Sequence, residues 1–254
     1  MVDELAERLW KAATEGRTLP PLTGGSPGLT LDDAYDIQDR VLALREEAGD
    51  RVAAAKLGLT SRAKQTQMGV DEPLYGWLTD TMRHDPSSAL DLSRFAQPRV
   101  EPEVAFITRA DLSGPGVTSS QVLAATDSVA PALDVLDSRF AGYQFTLVDV
   151  TADDASAAGY VLGDWVRPEG DLRVTGCVLE KNGELVDTAA GAAVMEHPAA
   201  AVAWFVRKLH SRGRALPARS VVLAGAWTAA IPVAPGDTVR ASFDRVGSVE
   251  VTCR

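Results

Sequence analysis

The sequence predicts an α+β fold, and three observations carry that prediction. Helical periodicity occupies roughly the first 50 residues, short apolar runs of strand period take over from about Arg51, and one late helix interrupts them near Pro198. Leu5, Leu9 and Ala12 recur at helical spacing and define a first helix. A polar, Gly/Pro-rich break from Thr18 to Gly28 reads as a loop. Thr30 with Asp33 three residues on is a capping signal, and Ala34, Ile37, Val41 and Leu44 continue it as an apolar stripe down to Arg45. Val100, Pro102, Val104 and Phe106 then alternate with Glu101, Glu103, Ala105 and Ile107, the period of a strand. Ala201, Val202, Phe205 and Leu209 form the late helix, which stops at Gly213, with His197 at its start and His210 near its end. Ser220 to Ala224, Val239 to Phe243 and Ser248 to Thr252 are strands, and Pro235-Gly236-Asp237 is a turn between the first two.

A chain of 254 residues that is 46% hydrophobic can bury one large core. The expectation is a single catalytic domain over 1–254, with residues 1–50 as its helical part. A formal net charge of -10 argues against a nucleic-acid surface, because phosphate binding needs clustered Lys and Arg undiluted by acids. A small molecule is the expected partner. The two cysteines, Cys177 and Cys253, lie far apart and signal neither a disulfide framework nor a zinc site. Acids occupy the N-terminal MVDELAERLWKAA where a signal peptide needs basic residues, and no apolar run approaches the roughly 18 residues of a membrane span. A cytoplasmic protein without membrane contact is expected.

Glu101 and Glu103 project from one face of their strand, and two such carboxylates repel unless a cation or proton sits between them. A hard dication, Mg²⁺ or Mn²⁺, suits oxygen ligands of this kind, and Asp134 in PALDVLDSR is a candidate third ligand. Taken bare, the Glu-x-Glu pair is more commonly the pattern of a solvated strand face.

Four ordered blocks supply context: AAKLGLTSRAKQTQMGVDEPLYGWLTD at 54–80, QPRVEPEVAFI at 97–107, PALDVLDSRF at 131–140 and VLAGAWTAAIPVAPGDTV at 222–239. Together they resemble the 2-hydroxypentadienoate hydratase and 4-oxalocrotonate decarboxylase family of the fumarylacetoacetate hydrolase superfamily. The resemblance runs from about residue 30 to the C-terminus and implies a mixed β-sandwich or roll with N-terminal helices. It further implies Lys56 as the catalytic lysine and Glu101, Glu103 and Asp134 as the metal ligands. This chain departs from the family pattern at Asp134, where Glu is usual, and at Asp154 of TADDAS, where Asn is common. The second departure trades a donor-and-acceptor side chain for an acceptor-only anion when ionised. Asp154, Ser156, Leu74, Arg139, Gly225 and Thr228 are the implied substrate contacts. For Arg139 a surface pair with Asp137, and for Gly225 a plain turn, are the alternatives.

The activity implied is decarboxylation: the ion chelates a 2-oxo acid and stabilises the dienolate left when a distal carboxylate departs as CO₂. Lys56 would pair with the substrate or carry a proton. Hydratases of the family tend to have an acid in a PDFG-like block, whereas Pro73-Leu74-Tyr75-Gly76 places the apolar Leu74 there, which matches the decarboxylase branch. The alternatives are a 2-oxopent-4-enoate hydratase, a hydrolase cleaving a C–C bond, and a biosynthetic lyase acting on a non-standard 2-oxo acid. A non-enzymatic partner subunit of a hydratase–decarboxylase complex is a further one. The resemblance also implies a homo-oligomer, with a complex with a hydratase homologue as a further partner.

Overall fold

The computed structural model describes residues 1–70 and 72–254. Helices α1 (Val2–Thr14), the one-turn α2 (Leu22–Gly25) and α3 (Leu31–Glu47) open the chain. Leu5, Leu9 and Ala12 of α1 pack on Ala34, Ile37 and Val41 of α3. The Thr30–Asp33 signal is a complete capping box, with the Thr30 amide donating to Asp33 Oδ2 (2.9 Å) and the Asp33 amide to Thr30 Oγ1 (3.1 Å). Within the break predicted as loop, buried Leu22 anchors the short α2, whose Gly24 and Gly25 hide it from propensity.

The β-rich part begins with β1 (Val52–Gly58), α4 (Arg62–Met68), β2 (Leu74–Thr79), β3 (Arg83–His84), β4 (Ala89–Leu90) and β5 (Arg99–Thr108). It continues through α5 (Ser119–Ala125), β6 (Thr126–Leu136), α6 (Leu147–Ala152), β7 (Ala157–Leu162), β8 (Gly176–Lys181) and β9 (Glu184–Ala190). It closes with α7 (Pro198–Ser211), β10 (Val221–Leu223), β11 (Ile231–Pro232), β12 (Thr238–Phe243) and β13 (Gly247–Cys253). One sheet runs β2-β1-β10-β5-β6-β7-β3, with β11 on β5, and the other runs β4-β13-β12-β8-β9. The expected late helix and C-terminal strands are thus present, and His197 caps α7 by accepting the Ala199 amide on Nδ1 (2.9 Å). α4, α5 and α6 were not foreseen; each spans seven residues or fewer, too short to display a period.

The pleat divides the larger sheet into two unlike faces. One face carries Ala55, Leu57, Val104, Phe106 and Val222 into the main core, against Val202, Phe205 and Leu209 of α7 and Val239 and Val251 of the second sheet. The other carries Lys56 and the acids among apolar side chains, Ala54, Ala105, Ala132 and Leu223. Among the described residues no helix is long and apolar enough to cross a membrane. Cys177 and Cys253 are buried free thiols.

Candidate metal centre

Register assembles the site. Lys56 on β1 pairs with Leu223 on β10, Leu223 with Ala105 on β5, and Glu101 on β5 with Asp134 on β6. Partners across a ladder share a face and alternate residues along a strand share it too, so Lys56, Glu103, Glu101 and Asp134 converge. Oxygens of the three acids lie within 4.8 Å of one another, and all three side chains are buried.

Each carboxylate meets a different partner. Glu103 Oε2 accepts the Gly225 amide at 2.7 Å, while its Oε1 has no partner. Lys56 Nζ lies 2.5 Å from Asp134 Oδ2 in an ion pair, while Asp134 Oδ1 has no partner. Lys64 Nζ, on α4, lies 2.6 Å from Glu101 Oε1. Burial first, then the Asp134 charge, pushes Glu103 well above the usual carboxylate range, and burial raises Asp134 against the pull of Lys56. Burial opposes the charge on Lys64, but Glu101, with Glu103 and Asp134 behind it, outweighs that and raises its pKa. Unpaired buried oxygens, clustered like charges and hard donors together fit a hard divalent cation.

Lys56 is almost fully buried and also donates to the Ala155 carbonyl at 3.0 Å. That carbonyl sits in a backbone run, Asp154, Ala155 and Ser156, with φ of 52°, 55° and 57°. Three successive left-handed non-glycine residues are costly, roughly 1 kcal/mol or more each. Gly76 makes the run possible, since a Cβ there would lie 2.4 Å from the Asp154 carbonyl oxygen.

Of the implied substrate contacts, Leu74 lies fully buried with Val150 and Ala155, on the side where Ala155 meets Lys56. Ser156 is buried with an unpartnered hydroxyl. Gly225 has φ of 105° and a Cβ would lie 2.1 Å from Thr60 Oγ1, so glycine is required to present its amide to Glu103 rather than to substrate. Thr228 Oγ1 turns to its neighbour's carbonyl at Ala229 (3.3 Å). Arg139 needs correction on both counts. The residue is 5% exposed, its guanidinium paired with Asp153 and donating to the carbonyls of Asp137 and Ala157 (2.9 Å each), so it is neither a surface ion pair nor free for substrate. The Asp137 carboxylate instead accepts the amides of Ala96 and Gln97.

Asp154 Oδ1 accepts the Trp77 amide at 2.7 Å, and burial pushes this acid up to about 7 against that bond and against Arg45, Arg139 and Lys56. A folded-state value above the unfolded one means that ionised Asp154 costs stability as pH rises from the ordinary carboxylate range through about 7. Asp154→Asn keeps the acceptor for Trp77 and removes that cost. Its stability relative to the parent is expected to grow by roughly 2 kcal/mol between about pH 5 and pH 8, read by urea unfolding. A pH-independent difference would contradict the assignment.

A cavity of about 830 Å³ lies elsewhere, lined by residues including Trp10, Arg45, His84, Arg94 and Arg139 but by none of the acidic trio or Lys56. Among the described residues, the trio is the group of acids whose ligand oxygens converge, and Glu103 Oε1 there has no partner. Lys64 was missed from sequence; it lies within the LTSRAKQ block, and only the fold of α4 aims it at Glu101.

The fumarylacetoacetate (FAA) hydrolase C-terminal family model matches residues 49–254. A 4-oxalocrotonate decarboxylase of Pseudomonas sp. (strain CF600) is 42% identical over 247 residues, 96% of this chain and 94% of its own. A 2-hydroxyhexa-2,4-dienoate hydratase of Comamonas testosteroni is 37% identical over 254 residues, 98% of this chain and 96% of its own. The solved structure of 4-oxalocrotonate decarboxylase from Pseudomonas putida G7, complexed with magnesium and adipate, matches with a TM-score of 0.97 at 38% identity, covering 100% of this chain and 97% of that one.

Proposed function

The chain belongs to the fumarylacetoacetate hydrolase family, and from that premise we propose that it is a Mg²⁺- or Mn²⁺-dependent decarboxylase of an unsaturated 2-oxo dicarboxylic acid of the 4-oxalocrotonate kind. The observation that carries this reading is the convergence of Glu101, Glu103 and Asp134 beside Lys56, with the apolar Leu74 behind Ala155. Relatives at similar identity carry both decarboxylase and hydratase names, so identity does not choose between them. Leu74, which offers no proton where hydration needs one delivered, supports decarboxylation. The magnesium and adipate held by the Pseudomonas putida G7 enzyme support a metal and a dicarboxylic acid.

Glu101, Glu103 and Asp134 would hold the ion, which when bound supplies a fixed positive charge beside the 2-oxo group. Lys56 Nζ, fixed between Asp134 and the Ala155 carbonyl, would carry the proton that the 2-oxo oxygen takes up. Leu74, buried with Val150 and Ala155, would present an apolar surface to the distal end of the substrate. Against it the distal carboxylate leaves as neutral CO₂. The electron pair of the broken C–C bond moves into the conjugated system, and the oxygen of the 2-oxo group ends protonated as a dienol. Ser156, with a buried unpartnered hydroxyl, and Asp154 flank Ala155, whose carbonyl accepts from Lys56. Residues 1–254 act together as one domain. β9, an edge strand exposing Leu185 and Val186, supports association with further copies. The buried free thiols are in keeping with a cytoplasmic setting.

A 2-oxopent-4-enoate hydratase is the second reading. The observation for it is Asp154, an acid titrating near neutrality where Asn was expected. Trapped CO₂ and dienol absorbance from 2-oxohex-3-enedioate, run beside hydration of 2-hydroxypenta-2,4-dienoate, separate the two. One CO₂ per dienol and no hydration is the expected result. Hydration without CO₂ would replace the first reading by the second.

A further inference from the structure

We propose that Lys64 and the divalent ion compete for the same Glu101 oxygen, and that the ion's arrival hands Lys64 to the substrate carboxylate that chelates the ion. This rests on the trio being the metal site. Lys64 Nζ lies 2.6 Å from Glu101 Oε1, the outermost acid of the three, and its side chain is 29% exposed where Lys56 at the floor is 2% exposed. Two cations thus serve three acids, one sealed in and one at the mouth. The mouth lysine is held for this place: its own amide donates to Ser61 Oγ (3.2 Å) at the start of α4, Gln65 Nε2 donates to the Leu59 carbonyl (2.8 Å), and Gly69 ends the helix at φ 66°.

An ion coordinated by Glu101 places positive charge where the ammonium now makes its contact, and the two cations repel. With all three acids ionised around a dication and Lys56 beside them, the charges cancel, and the charge of Lys64 is left over for an anion. In an octahedral sphere of the Mg²⁺ kind, a ligand next to Glu101 sits about 3 Å from its oxygen. Lys64, already in contact with that oxygen, reaches such a ligand by rotating its side chain, without moving α4. The ligand it fits is the carboxylate of a chelating 2-oxo acid.

The test uses the full chain and two calorimetric titrations: Mg²⁺ into chelator-treated protein, and the unreactive 2-oxoadipate into Mg²⁺-saturated protein. Lys64→Met is expected to bind Mg²⁺ about three- to tenfold more tightly and 2-oxoadipate about tenfold more weakly, with Lys64→Arg returning the anion affinity to within about threefold of the parent. Opposite signs are the signature, because a merely structural lysine would weaken both. Weaker or unchanged Mg²⁺ affinity in Lys64→Met, or unchanged 2-oxoadipate affinity, would overturn the exchange. A parent protein that binds no Mg²⁺ would instead remove the metal site itself, and with it this inference.

Discussion

Replacing Glu103 with Gln is expected to lower metal-dependent turnover by roughly a thousandfold or more while making the protein stripped of divalent ions more stable. Glu103 is fully buried, one oxygen on the Gly225 amide and the other without a partner. Burial and the nearby Asp134 raise its pKa, so at neutral pH the ionised form costs folding free energy. The Gln carbonyl can accept from Gly225 as before, and its amide can donate to an Asp134 oxygen that now lacks an aligned donor. The fold therefore gains a hydrogen bond and loses a like-charge contact, worth about 1–3 kcal/mol in urea unfolding. The site would lose one of the three anionic ligands proposed for the ion. Opposite signs in activity and stability distinguish a ligand from a structural acid, and retained turnover in Glu103→Gln would exclude the trio as the metal site.

Replacing Lys56 with Met moves both quantities down. Lys56 is 2% exposed, and its ammonium faces Asp134, whose side chain is wholly buried. Removing one partner of such a pair leaves a desolvated charge, a loss of roughly 3–5 kcal/mol. The Ala155 carbonyl loses its donor as well, and it belongs to the left-handed run whose geometry Lys56 helps to hold. Turnover is expected to fall about a hundred- to ten-thousandfold as the proton carrier is lost. Unfolding of the double variant Lys56→Met/Asp134→Asn isolates the pairing, and its stability should return toward the parent because no buried charge remains unpaired. Turnover is read on Lys56→Met alone, where Asp134 is kept, at a temperature at which unfolding shows the variant folded. Parent-level turnover there would make Lys56 a purely structural residue.

Local signals carried much of the fold. The Thr30–Asp33 box, the apolar stripe of α3, the Pro198 helix and the alternation of β5 each rest on neighbours in sequence, so a linear reading reaches them. Glu101 and Glu103 are legible for the same reason: strand period alone places them on one face. Asp134 required the family resemblance, since nothing in the sequence shows that β6 will pair it with Glu101. Arg139 was misjudged because its true partner, Asp153, is brought to it by the fold of α6 and the turn that follows, while its sequence neighbour Asp137 is taken by backbone amides. The run at Asp154–Ser156 is invisible to propensity, which assigns left-handed backbone to glycine; its signal is Gly76, a chain-distant residue that makes room.

CO₂ release from 2-oxohex-3-enedioate, titrated with Mg²⁺ after removal of divalent ions, tests most directly the metal-dependent decarboxylation proposed for the Glu101–Glu103–Asp134 centre. Release at background is expected without added ion, with a rise that saturates at about one ion per chain. Full-rate CO₂ release from protein stripped of divalent ions, or a saturating Mg²⁺ titration with no CO₂, would contradict it.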